Sequence, residues 1–149
     1  MKSLTRLEST TILVARVFLG FLFLYASIEK ILYPGAFAEI VYNYRILPDE
    51  MIHATAVVLP WLELLVGLFL ILDIWLAGAV LVVNALFMVF LAAMAFNLAR
   101  GLDIDCGCFS SDGPPAPMLY YLGRDAFFFL LSLLTGFLVL LAGTDRRYA

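Results

Sequence analysis

Cys106-Gly107-Cys108 concentrates the thiol chemistry of this chain, since these are the only two cysteines among its 149 residues. Two residues reach at most about 7 Å when extended, and a disulfide needs Cα atoms about 4.4–6.8 Å apart, so the pair can close on itself. Gly107 has no Cβ and lets the backbone bend to that geometry. The resulting ring is small and strained, which favours an exchangeable, oxidising disulfide over a structural staple. Asp103 and Asp105 disfavour a thiolate here unless a cation such as Arg100, Lys30 or Arg124 offsets them in the fold. The motif predicts a thiol–disulfide exchange site, with Cys106 and Cys108 as the catalytic pair; which of them attacks is open.

The elements that carry this site follow from composition. Hydrophobic residues make up 64% of the chain and charged residues 14%, with a mean hydropathy of +1.03. A water-soluble domain of this length has no use for so much apolar surface. Residues 10–32, 51–72, 74–99 and 117–142 are each long enough to cross a hydrocarbon core about 30 Å thick. In hydrocarbon such runs must be helical, because their backbone groups have no other hydrogen-bonding partner. The predicted fold is an all-α integral membrane four-helix bundle, a single transmembrane domain over 1–149, with a short interfacial helix and a CxC-bearing outer loop. The first run is expected to stay as a helix rather than leave as a signal peptide, being longer than a typical signal core and followed by Glu29-Lys30. A net charge of −3 argues against nucleic acid as a partner.

The second and third helices are joined by little more than Asp73, a tight antiparallel hairpin with Trp75 at the interface. The first connection, 33–50, has Phe37, Ile40, Val41 and Tyr44 at helical spacing, Pro34-Gly35 at its start and Pro48 at its end. It reads either as a short amphipathic helix on the membrane plane or as an irregular loop with interfacial tyrosines. Around the cysteines, Gly101, Gly113 and three prolines exclude a continuous helix, and Pro117 can start the last one. Basic residues favour cytoplasmic termini only slightly. Disulfide chemistry persists in oxidising compartments, so the expected placement is a bacterial inner membrane with cytoplasmic termini and a periplasmic CxC loop.

Several residues resemble the MauE (methylamine utilisation) branch of the DoxX-like membrane family. They are Arg16, Gly20, Lys30 and Phe37, then Tyr44 through Leu47-Pro48, Pro60-Trp61-Leu62-Glu63-Leu64 with Gly67, and above all Asp105-Cys106-Gly107-Cys108-Phe109, followed by Arg124-Asp125. The resemblance covers nearly the whole chain, with the Cys-Gly-Cys-Phe element its specific part; family members often carry a glycine where this chain has Ser110. It implies a four-helix membrane protein involved in periplasmic disulfide chemistry beside a thioredoxin-like partner.

Ionisable residues within membrane helices usually face a partner, a cavity or a pathway. At 1.5 Å per residue, Arg16 and Glu63 lie about 9 and 13 Å from the same membrane face, so an intramembrane Arg16–Glu63 ion pair is predicted, serving helix packing or a proton or ligand role. Glu29, Lys30, Arg124 and Asp125 form a second charged set near the CxC loop. Lys30 or Arg124 can stabilise a thiolate or a quinone oxygen, or simply snorkel to the interface. Asp105, Asp125 and His53 are further supporting candidates, His53 as a proton carrier or an interfacial residue. Asn84 and Asn97 are expected to hydrogen-bond between helices, and Phe127-Phe128-Phe129 to face lipid and neighbouring helices.

Three function classes compete. The first is a redox enzyme or relay, with Cys106 and Cys108 exchanging disulfides with a periplasmic thioredoxin-like protein or substrate thiol. No further cysteine is present to take the electrons, so if they move beyond this pair a diffusible cofactor such as a membrane quinone must take them. The second is soft-metal binding by the CxC with Asp103, Asp105, Asp112 and Met118, although two thiolates without a nearby histidine make an incomplete site, and no metal is assigned. The third is a membrane scaffold that assists maturation of another protein.

Overall fold

The computed structural model describes residues 6–102 and 117–147, with side chains placed over 9–102 and 117–141. The described residues form five helices: α1 (Arg6–Leu32), α2 (Pro34–Asn43), α3 (Asp49–Leu72), α4 (Leu76–Ala99) and α5 (Met118–Arg147). Four of them, α1, α3, α4 and α5, contain stretches long and apolar enough to cross a membrane. Much of their surface is exposed Leu, Val and Phe, as helices solvated by lipid require.

Local chemistry accounts for the helix ends. Pro34 opens α2 from the first turn, where its missing N–H costs nothing. Asp49 and Glu50 put negative charge on the first turn of α3, favourable against the helix dipole, and α3 begins two residues before the expected Met51. Asp73 (φ 60°) and Trp75 (φ 46°) both take left-handed conformations. The hairpin link therefore runs through Ile74, and α4 starts at Leu76 instead of Ile74. Pro117 lies just outside α5, its carbonyl accepting from the Tyr120 N–H at 2.8 Å.

Antiparallel α1 and α3 make the tightest approach. A Cβ placed on Gly67 would lie 2.9 Å from the Gly20 carbonyl oxygen, and one on Gly20 would lie 2.9 Å from the Gly67 carbonyl oxygen. The backbones meet because neither residue has a side chain there. Around this crossing Leu19, Phe23, Val66 and Leu70 pack with Val80, Val83 and Phe87 of α4, with the Phe23 and Phe87 rings edge to face at 5.3 Å.

α1 stops short of the start of α3. The first turns of α3 are covered instead by α2, whose Phe37 and Ala38 pack on Ile52 and Ala56. Arg45, at φ 50°, reverses the chain between them. The expected short helix is thus present, and one face of it is committed to α3. Both asparagines donate to the carbonyl four residues back, Asn84 to Val80 at 2.9 Å and Asn97 to Ala93 at 3.2 Å, and Asn84 alone also reaches the Ser132 carbonyl of α5, at 3.4 Å. The i−4 carbonyl takes the amide N–H of each, leaving both Oδ1 atoms without a protein partner among the described residues. Phe127 faces outward, while Phe128 turns inward against Phe18 at 5.9 Å.

Candidate functional site

The expected Arg16–Glu63 ion pair does not form. Glu63 is paired with Lys30, whose Nζ lies 2.9 Å from each carboxylate oxygen, and Arg16 reaches Asp73 at 2.6 Å. The reason is side-chain direction. In the register set by Gly20 and Gly67, Glu63 sits level with Leu24, about 9 Å along the axis from Lys30 and about 12 Å from Arg16. Side chains lean toward the start of their own helix. On antiparallel helices Lys30 and Glu63 therefore lean toward each other, while Arg16 leans away from Glu63 to the end of α3. Depth alone, measured on Cα positions, misses this.

The two pairs differ in energetic weight. Asp73 is 58% exposed, so its bond to Arg16 is screened by solvent. Asp73→Asn keeps a residue that tolerates the left-handed turn, and is expected to cost less than about 1 kcal/mol in detergent thermal unfolding, with the loss shrinking further in high salt. The Lys30–Glu63 pair is buried, with residue exposures of 4% and 1%. Glu63 lies about 21 Å from the start of α3 and about 13 Å from its end, far from either face of a spanning helix.

The surroundings of Lys30 complete its coordination. Two N–H groups go to Glu63, and the ammonium also stands 5.0 Å from the Phe37 ring centroid and 5.3 Å from that of Phe90. A cation over two π-faces recovers part of its lost hydration. Phe37 belongs to α2, so the short helix roofs the ion pair. Lys30 is thus an interior residue, not a snorkelling one.

Asp125 of α5 is the third buried charge, 3% exposed, held by Arg124 through Nε and Nη2, each at 2.9 Å from Oδ1. Lys30, Glu63 and Asp125 together line a cavity of about 20 Å³, otherwise walled by Leu22, Phe23, Ala26, Phe87 and Phe90. A larger apolar groove of about 170 Å³ lies on the far side of Phe37 and Phe90, between α2, α3 and α4. His53 is exposed near the start of α3 and lines neither space. Cys106, Cys108 and Asp105 lie outside the described residues. The helices that flank them are tied together, because Met94 near the end of α4 and Met118 at the start of α5 pack in one buried cluster with Tyr44, Leu91, Tyr121 and Leu122. Sequence reading missed Phe37 and Phe90 as partners of Lys30; the helical spacing of Phe37 was visible, but no local signal points Phe90 at a cation.

A family model described as Methylamine utilisation protein MauE matches residues 8–141. The chain belongs to the MauE family. It is similar to the MauE protein of Paracoccus denitrificans, with 40% identity over 95 residues, 63% of this chain and 51% of that protein. It is similar to that of Methylorubrum extorquens, with 35% identity over 112 residues, 74% and 60% of the two chains. Methylophilus methylotrophus MauE is 36% identical over 102 residues, 68% and 54%. The chain thus spans about half to three-fifths of the length of these MauE relatives. No solved structure matches the chain. MauE membership and four membrane-length apolar helices make this a multi-pass membrane protein.

Proposed function

We propose that the protein is a membrane-embedded thiol–disulfide oxidoreductase. Its Cys106–Cys108 pair exchanges disulfides with a thioredoxin-like protein or substrate thiol and hands the electrons to a membrane quinone. The observation that carries this reading is the CxC pair itself, the sole thiol pair in a chain of membrane helices. A partner disulfide or thiol is exchanged through a mixed disulfide that the second cysteine resolves. Oxidation of the dithiol releases two electrons and two protons, and a quinone that accepts both becomes the quinol. The groove lined by Phe37, Ile40, Val41, Tyr44, Leu59 and Phe90 supports this step, because it is apolar and lies at the end of the bundle from which the cysteine loop departs. The same reading places the loop on the periplasmic side of a bacterial inner membrane with cytoplasmic termini, where disulfides persist. The relatives' name attaches them to methylamine utilisation, and we extend a role in that process to this chain. Kinship with DoxX-like proteins belongs to the same proposal, supported by the four-helix pattern.

The test is the redox state of the pair in membranes, read by maleimide gel shift after reduction and again after a soluble quinone analogue is added. Reoxidation by the analogue is expected, and it should be abolished in Cys106→Ser and in Cys108→Ser. Phe90→Trp, which fills the groove, should raise the analogue concentration required. A pair that stays reduced with quinone would remove the quinone step and leave partner-driven exchange, metal binding or scaffolding.

A further inference from the structure

We infer that Lys30, Glu63 and Asp125 form a proton-exchange site inside the membrane, in which a proton held by the Lys30–Glu63 pair passes through one cavity water to Asp125. Three observations carry this. The three groups come from α1, α3 and α5 and are all more than nine-tenths buried. They share a cavity of about 20 Å³, and a single water needs roughly 10–15 Å³ when measured this way, together with two to four polar partners. Asp125 comes from a different helix than the other two and is itself held in place by Arg124, whose Nη2 lies 2.9 Å from its Oδ1.

A purely structural ion pair needs neither the cavity nor the third carboxylate. In surroundings this apolar, keeping two charges separated is costly, and moving the proton from Lys30 to Glu63 removes both charges at once. The exchange requires the ionic and neutral forms of the pair to interconvert. In the neutral form Lys30 is an amine and Glu63 a carboxylic acid. The Glu63 O–H bond breaks as its proton passes to the water, and the water gives a proton to the Asp125 carboxylate. One O–H bond forms for each one broken, and total charge is unchanged. Among the described residues, the charged groups facing the exchange are Lys30 from α1, Glu63 from α3, and Asp125 with Arg124 from α5; α4 contributes Phe87 and Phe90 and α2 contributes Phe37, none of which titrates. The inference does not depend on the redox chemistry of the cysteines.

Infrared difference spectroscopy of the whole protein in liposomes tests it, with bulk pH stepped between about 7 and 10, above the range in which ordinary carboxylates are protonated. The wild-type protein is expected to show a protonated-carboxyl C=O band that changes with pH and shifts in heavy water. Glu63→Asp should move that band, and Glu63→Gln should remove it. Asp125→Asn should keep the band but slow its response to a pH jump by about a hundredfold, the low end of what a positioned acid–base group contributes. The wild-type spectrum needs no variant to fold, and Glu63→Asp keeps a carboxyl at the site. A wild-type protein without such a band at any pH, or a band that responds equally fast in Asp125→Asn, would overturn the inference.

Discussion

Gly67→Ala is expected to destabilise the bundle by about 3 kcal/mol or more, although it adds a single carbon. The new Cβ would stand 2.9 Å from the Gly20 carbonyl oxygen, 3.2 Å from the Leu24 amide nitrogen and 3.2 Å from Leu24 Cγ. Two of these neighbours are backbone atoms, which no rotamer change can move, so α1 and α3 must separate. Overpacking in a well-filled core typically costs about 1–3 kcal/mol, and a helix-to-helix backbone clash lies at or above the top of that range. The separation also pulls apart the Lys30–Glu63 pair, which the same register brings together. Thermal unfolding in detergent reads the effect. Gly123→Ala and Gly35→Ala are the controls: a Cβ at either position meets nothing within 4 Å, and at Gly123 the gain in helix propensity should raise stability by up to about 1 kcal/mol. Equal losses at Gly67 and Gly123 would show that α1 and α3 do not meet there.

Lys30→Met should cost about 3–5 kcal/mol, the usual penalty for leaving one member of a buried ion pair alone. Methionine fills much the same volume over Phe37 and Phe90, so the loss comes from leaving the Glu63 carboxyl, charged or protonated, without its buried partner and not from a cavity. The double replacement Lys30→Met with Glu63→Leu should recover most of that stability, since an apolar pair of similar volume often matches or exceeds a buried salt bridge. The double-mutant cycle isolates the coupling between the two residues and is read by the same unfolding assay. Additive losses would mean that the pair is not formed in the membrane. The double variant also separates folding from function: a bundle that is stable but no longer shows the pH-dependent carboxyl band has lost the proton site alone.

The sequence was legible wherever the physics is local. Apolar runs of spanning length announce α1, α3, α4 and α5, because hydrocarbon allows no other backbone arrangement, and the ends move by a few residues where Asp49 or the left-handed Trp75 resets them. The spacing of Phe37, Ile40, Val41 and Tyr44 offers α2 as one of two readings, and the structure selects the helix. Glu63 stands out as a charge in an apolar run, and so does Arg16. Their partners were not legible. Pairing depends on how α1 slides along α3, and that is decided by two glycine backbones meeting at Gly20 and Gly67. The direction in which antiparallel side chains lean then selects Lys30 over Arg16 for Glu63.

The sequence by itself determined the class of molecule and its thiol pair: an all-helical membrane chain with Cys106 and Cys108 between its last two spans. Both follow from composition and from neighbours a few residues apart. Only the tertiary structure decided that Lys30 is an interior cation, that α2 closes over it, and that Asp125 joins it across a cavity from another helix. Those groups are 33 to 95 residues apart along the chain, as the numbering of Lys30, Glu63 and Asp125 shows. Their meeting is a property of helix register and side-chain direction, which hydropathy along a single helix does not encode.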